Sequence, residues 1–415
     1  MKRIKLGEVL DVKRGASLAG EFYSERGEKI RLTLGNFKYP GGGFKQNTSK
    51  KDIYFNGPVK PEFILNKGDI ITPLTEQVAG LLGETARIPE GNLYIQSGDI
   101  GLVIPDERLL DKDFAYYLVS SPLVKKQLDA AAQQTKIRHT SPDAIKDCVS
   151  YIPELMEQKK IAKLLDAIND KVTNNNAIAA ELEGMAKDLY DYWFIQFDFP
   201  DENGKPYKSS GGKMVWNEEL KREIPEGWEI ENLYSIAEPI NGLACQKYRP
   251  KNDEESLPVV KIKEMHTGIT TDTERVSSNI PEKNKIFDGD ILFSWSATLE
   301  VMFWFGGNAG LNQHIFKIVP INGYTKEYVY HQYSAYVINF VKMAEARKTT
   351  MGHITTDHLE QSRIILPPIN VVQAFSKITA PIYEKIGTCK QECNDLTSLR
   401  DFLLPMLMNG QVKAG

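Results

Sequence analysis

Lys67-Gly68-Asp69-Ile70-Ile71 is a turn followed by an apolar, strand-like run, and Asp288-Gly289-Asp290-Ile291-Leu292 repeats it in the second half of the chain. Glycine beside aspartate closes turns, and the β-branched residues that follow favour extended backbone. Outward from this pair the correspondence keeps its order. Phe114, Tyr116 and Tyr117 are answered by Tyr328, Tyr330 and His331, and His139, Asp143 and Ile145 by His353, Asp357 and Leu359. Then Ile152-Pro153-Glu154-Leu155 lies opposite Leu366-Pro367-Pro368-Ile369, each proline segment opening a long helical pattern. An ordered series of matches implies duplication, which constrains architecture more than any single motif.

The first helical pattern places Ile161, Leu165, Ile168, Val172, Asn175, Ala179, Leu182, Ala186, Leu189 and Trp193 alternately four and three residues apart, the spacing of a coiled-coil seam. The second runs through Phe375, Ile378, Ile382, Ile386, Cys389, Cys393, Leu396, Leu399 and Leu403 and is expected to stop at Pro405. Asn175 is the one polar seam residue. It either fixes register against a partner helix at some loss of stability, or sits at a frayed, wet point. Helices of about 40 residues span roughly 60 Å and outrun an ordinary domain, so the two are expected to pack on each other. The alternative is that each packs on its own domain.

Before each helix lies a mixed segment, strand-rich with Gly and Pro punctuation, that reads as an α+β globule. The layout is a first globule over 1–150, a long helix over 151–198, a polar Gly-rich linker over 199–227, a second globule over 228–366, and a second helix with its tail over 367–415.

The chain has 415 residues, 41% of them apolar, enough for two cores of ordinary size. No run of 18 apolar residues occurs, and Met1-Lys2-Arg3-Ile4 leads into a mixed polar segment rather than a signal core. A soluble cytoplasmic protein is expected. Cys148, Cys245, Cys389 and Cys393 are too few and too scattered for a disulfide scaffold, and no Cys-x-x-Cys pair offers a zinc site. The formal charge is −4, which argues against a dedicated nucleic-acid binder. Its distribution softens that objection. Residues 1–150 hold 22 basic against 19 acidic side chains, residues 151–198 hold 5 against 9, and residues 199–415 hold 24 against 27. Nucleic-acid binding would then depend on local clusters or on basic partners.

A family resemblance becomes specific at Tyr190-Asp191-Tyr192-Trp193-Phe194, Ile224-Pro225-Glu226-Gly227-Trp228 and Phe402-Leu403-Leu404-Pro405. Together with the proline-then-helix openings and Gly310-Leu311-Asn312-Gln313-His314-Ile315-Phe316, the chain resembles, over nearly its whole length, the specificity subunits of type I restriction-modification enzymes. The resemblance implies two α/β target-recognition domains held apart by two long antiparallel coiled-coil helices with approximate twofold symmetry. Each domain would read one half of a bipartite double-stranded DNA target. It also implies two methyltransferase subunits, which use S-adenosylmethionine, and up to two ATP-driven translocating nuclease subunits as partners. This chain would need no cofactor; S-adenosylmethionine, ATP and magnesium would belong to the partners.

If DNA is the target, base reading needs paired donors and acceptors, with lysines and hydroxyls on phosphate. In the first half the candidates are Lys38, Lys45, Gln46 and Asn47 around Gly41-Gly42-Gly43; Thr75 and Gln77 beside Glu76; and Gln133, Gln134, Thr135, Lys136, Arg138 and His139. In the second they are Lys247, Arg249, Ser294, Ser296, Asn312, Gln313, His314, Arg347, Lys348 and Thr349. The cluster from Gln133 to His139 precedes a helix start at Ser141-Pro142-Asp143, whose N–H groups suit phosphate.

One pattern is enzyme-like. Pro142-Asp143 with Glu157-Gln158-Lys159 fits the loose Pro-Asp…Glu-x-Lys arrangement of metal-dependent nucleases, in which Asp143 and Glu157 would hold magnesium and Lys159 assist water. The pattern is short, and its counterpart Val372-Gln373-Ala374 lacks the charges. No Asn-Pro-Pro-Tyr/Phe run, by which amino-methyltransferases grip a flipped base, occurs. Gly41-Gly42-Gly43 is followed by no Gly-Lys-Ser/Thr, and no pair of histidines has metal-ligand spacing on a helix. A DNA-reading subunit is the leading reading; a nuclease and a coiled-coil adaptor that binds only protein are the alternatives.

Overall fold

The computed structural model describes residues 1–39, 41–76, 80–132, 138–296, 298–346 and 356–414. The chain divides into two compact units, Met1–Lys171 with Leu396–Gly415, and Val172–Asp395. Each unit therefore contains one globule and a part of each long helix.

In the first unit, Lys2–Lys5 pairs antiparallel with Val149–Ile152, so the ends of the globule meet. Between them an antiparallel sheet runs in the order Leu10–Arg14, Ile100–Pro105, Ile70–Pro73, Ala86–Arg87. A second sheet orders Tyr23–Ser24, Tyr54–Phe55, Ile30–Arg31 and Tyr94–Ile95. Ile70, Val103, Phe114, Leu118 and Leu128 form the core together with Ile161 and Leu165 of the first long helix and Leu407 and Met408 of the second.

The second unit repeats this plan. Glu229–Glu231 pairs with Ile364–Leu366, and the main sheet runs Ala237–Asn241, Ile315–Pro320, Ile291–Ser294, Glu300–Phe303. The duplication reaches atomic detail at the turns that first signalled it. Gly68 and Gly289 have φ of 80° and 82°, a conformation that favours glycine. Each following aspartate accepts a backbone N–H three residues back, Asn66 N to Asp69 at 2.8 Å and Phe287 N to Asp290 at 2.9 Å. Each also faces a lysine, Lys112 at 3.9 Å and Lys326 at 4.0 Å.

The long helices span Leu155–Tyr190, extended by a π-helical turn over Asp191–Ile195, and Ile369–Met408. Within the second unit they pair antiparallel: Ala179 and Ala186 pack with Tyr383, Ile386 and Cys389, and Leu182 and Ile382 flank them. Asn175 is 3% exposed and donates to Glu392 of the facing helix at 2.6 Å, so it is a register contact rather than a frayed point. Not every expected seam residue belongs to helix–helix packing. Ile161, Leu165 and Leu403 enter or flank the first globule's core, and Trp193 and Leu189 the second's. Ile168 is buried, and Val172 and Leu396 are half-buried.

Three expectations are corrected. Ile378 is 48% exposed and Leu399 46%; the buried face instead follows Phe375, Thr379, Tyr383 and Ile386. Spacing alone favoured the isoleucine over Thr379 and Tyr383, whose hydroxyls are satisfied inside by Phe375 O and by His331 Nε2. The second helix does not stop at Pro405 but continues to Met408. Proline near a helix end removes one backbone bond, and the burial of Leu407 and Met408 in the core offsets that loss. The expected linker also has structure: Met214–Asn217 and Arg222–Pro225 form a hairpin, and Tyr207, Phe199 and Trp228 stack in series at 4.7 and 5.0 Å. The motif residues Tyr190, Trp193, Phe194 and Trp228 thus serve the second core.

All four cysteines are free and buried, and burial pushes the Cys148 and Cys245 thiols up to about 11. Among the described residues no helix is long and apolar enough to cross a membrane.

Candidate nucleic-acid interface

In each globule one end of the main sheet gathers three chain segments. The strand Leu10–Arg14 ends there, Ile70–Pro73 ends beside it, and the residues before Ile100–Pro105 arrive from the other side, because neighbouring strands are antiparallel. Gly15 N donates to Ile100 O at 3.1 Å, Ala16 N to Gln96 O at 3.0 Å, and Ala16 bridges Ser97. The second globule repeats each link: Gly242 N to Ile315 O at 3.1 Å, Leu243 N to Leu311 O at 2.9 Å, and Leu243 bridging Asn312. Only glycine fits at the crossing. A Cβ on Gly15 would lie 2.3 Å from Ser97 O, and one on Gly242 2.1 Å from Asn312 O.

Several sequence-derived candidates collect at this end. In the first globule Thr75–Glu76 pairs with Arg138–His139, which joins two clusters that lie far apart in the chain. His139 is exposed. In the second, Gln313 Nε2 lies 3.3 Å from His314 Nε2, and the His314 ring packs on Trp295 at 5.5 Å. Both residues are half-buried. Lys247 and Arg249 are exposed around the short turn Cys245–Tyr248, which buried Cys245 anchors.

Other candidates are spent on the scaffold. Arg138 is held by Glu76 at 2.7 Å and Asp129 at 3.1 Å, so two carboxylates already face its charge. Thr75 is 6% exposed, Ser296 8% and Asn312 7%, too little for a base edge to reach. Ser294 is fully buried, its hydroxyl donating to Ser296 O and Thr298 O. Asn47 donates to Thr33 Oγ1 at 2.7 Å and accepts from Ser49 N at 3.0 Å, which makes it a loop brace. A short polar side chain in a loop satisfies its own backbone as readily as a ligand, and sequence alone does not separate the two. Lys38, Lys45 and Gln46 are exposed. Their loop is pinned where Gly43 N donates to Thr85 O at 2.8 Å, and Gly42 leaves only 3.2 Å between a built Cβ and Glu84 Oε2. Burial pushes the Glu84 carboxyl above its usual range, against the opposing pull of Lys125 at 2.6 Å. Gln77, Gln133, Gln134, Thr135, Lys136, Arg347, Lys348 and Thr349 lie outside the described residues.

Arg14, exposed at the end of Leu10–Arg14, also stands at this sheet end, and in the sequence an arginine there looks like any solvated charge. The signal that finds it is the repeat itself, Arg14-Gly15 against Asn241-Gly242.

The duplication also appears against known families. The family model for the type I restriction modification DNA specificity domain matches residues 1–184 and again 225–397. The chain belongs to this family. As a specificity subunit, it supplies DNA sequence recognition to a type I restriction-modification complex. It is 24% identical over 349 residues to the type I restriction enzyme MjaIX specificity subunit of Methanocaldococcus jannaschii, covering 79% of this chain and 77% of that one. To the HindI specificity subunit of Haemophilus influenzae it is 23% identical over 377 residues, covering 77% and 81%. The crystal structure of a type I restriction-modification S subunit from M. genitalium shares the fold, with a TM-score of 0.57 at 16% identity over 98% of this chain and 96% of that one.

The nuclease-like residues of the specificity subunit have other partners. Glu157 Oε1 accepts from Ala414 N at 2.9 Å, Asp143 pairs with Lys146 at 2.9 Å, and Lys159 is exposed. Gln158, between Glu157 and Lys159, is buried and bonds Asp111 N, Leu109 O and Pro153 O. Among the described residues no group of three or more His, Cys, Asp or Glu is placed to hold a metal.

Proposed function

We propose that the chain is a non-catalytic reader of a bipartite double-stranded DNA target, each globule reading one half. The observation that carries this is the repeated sheet end: one glycine crossing and one set of backbone bonds present different side chains in the two globules. A shared scaffold with exchanged side chains suits two independent base-reading surfaces. The use of the Glu157 carboxylate as acceptor of Ala414 N speaks against a cleavage centre of its own. Methyl transfer and cleavage then belong to partners, two methyltransferase subunits and up to two restriction subunits, which bring S-adenosylmethionine, ATP and magnesium. The overall charge of −4 fits a reader whose phosphate contacts are shared with such partners.

The test is an exchange of residues 1–150 for the recognition domain of another specificity subunit, followed by mapping of genomic methylation. One half of the methylated motif should change and the other persist. Change in both halves, or in neither, defeats independent reading.

A further inference from the structure

The two sheet ends are alike in backbone and unlike at one position. The shared bonds set residues 14, 97 and 98 against 241, 312 and 313. At the last of these the second globule carries Gln313 and the first carries Gly98, which has no side chain. The same backbone is reached from the neighbouring strand: Arg14 Nη1 donates to Gly98 O at 3.0 Å, and Nη2 reaches Thr140 O at 3.5 Å. The Arg14 guanidinium therefore lies against the backbone whose counterpart bears the Gln313 carboxamide.

Both side chains are held but not exhausted. Arg14 is exposed and among the described residues has no carboxylate partner, only those two carbonyl oxygens. Several of its five N–H groups remain for a ligand. The Gln313 carboxamide meets His314 Nε2, and that ring is steadied by Trp295. A half-held planar group loses less conformational freedom on binding than a free surface chain. Arginine presents paired donors that match guanine O6 and N7, and glutamine presents a donor and an acceptor that match adenine N7 and N6.

We propose that this position is the base-reading point of each globule, with Arg14 reading a guanine in one half-site and Gln313 an adenine in the other. His314 acts as the positioning residue for Gln313. The inference rests on the bipartite DNA reading and deepens it to named residues and bases.

The experiment uses the complete methyltransferase complex with Arg14→Gln, Arg14→Lys and Gln313→Ala, each checked by thermal melting, against a library randomised over the mapped motif. Arg14→Gln should lose about ten- to a hundredfold of its discrimination at one G·C pair, in the half-site that exchange of residues 1–150 alters. Gln313→Ala should relax one A·T pair in the other half. Arg14→Lys keeps the charge without the fork and should also relax the guanine. A uniform loss over all sequences, with the salt dependence shallower by about one unit, would make Arg14 a phosphate contact and overturn the proposal. Unchanged discrimination, or both variants acting on one half, overturns it too. Should the domain exchange itself leave the motif unaltered, the bipartite reading has failed; should the exchange succeed while Arg14→Gln relaxes nothing, only the assignment of this residue has.

Discussion

Gly15→Ala and Gly242→Ala should each disable one sheet end and leave the other intact. At Gly15 the new Cβ would sit 2.3 Å from Ser97 O, 2.5 Å from Gln96 O and 2.7 Å from Gln96 C, all backbone atoms, whereas 3.4 Å is where ordinary contact begins. One segment must retreat by about 1 Å, because no rotamer change moves a carbonyl. That retreat breaks Gly15 N to Ile100 O and Ala16 N to Gln96 O, now 3.1 and 3.0 Å. Two backbone bonds at about 1 kcal/mol each and about 1–3 kcal/mol of overpacking put the loss near 3–5 kcal/mol for the first unit. Gly242, at 2.1 Å from Asn312 O and 2.7 Å from Leu311 O, should behave alike in the second. Native-state hydrogen exchange reads the effect where it arises, as lost protection of amides 15 and 16 or 242 and 243. Methylation mapping by the complete complex should then show one half-site degraded by each variant. If Gly15→Ala kept its protection and lay within about 1 kcal/mol of the parent, the crossing would not constrain the sheet end as argued.

Two further outcomes concern the first unit. Glu157→Ala removes the acceptor of Ala414 N, a loss of about 1 kcal/mol after allowing for the partial exposure of the carboxylate, and restriction by the complete complex should be unchanged; loss of cleavage with methylation retained would revive a magnesium site at Glu157. Glu84 is raised above its ordinary range chiefly by burial, so between the unfolded carboxyl value and the raised native one the folded chain holds more protons. The contribution of Glu84 to stability must then fall as pH rises through that window and stay level above it. Urea titrations of the parent and Glu84→Gln at a series of pH values should show Gln gaining on Glu with rising pH, and Glu gaining on Gln instead would contradict the assigned cause.

Much of the architecture is legible in the chain because it was written twice. Gly-Asp-Ile turns, proline-to-helix openings and the order of aromatic segments recur, and a turn that needs a positive φ at Gly68 needs it again at Gly289. Hydrophobic period likewise marks the long helices, since a buried stripe must recur every three or four residues whatever it packs on. What it packs on is a tertiary matter: Ile161 and Leu165 serve a globule's core while Ala179 and Ala186 serve the helix pair, yet all four fall on one alternating four-and-three series. Period also could not choose Thr379 over Ile378, because a buried hydroxyl is acceptable only when a particular acceptor stands beside it, as Phe375 O does. The same limit governs the candidate interface. Residue type nominated Ser294, Asn47 and Arg138 for DNA, and the fold spent each inside the globule's own bonding, on Thr298 O, Thr33 Oγ1 and the Glu76 carboxylate. Arg14 owes its place against Gly98 to a crossing between segments 84 residues apart in the chain. Local sequence fixes what a side chain can bond; only the packed chain decides which partner arrives first.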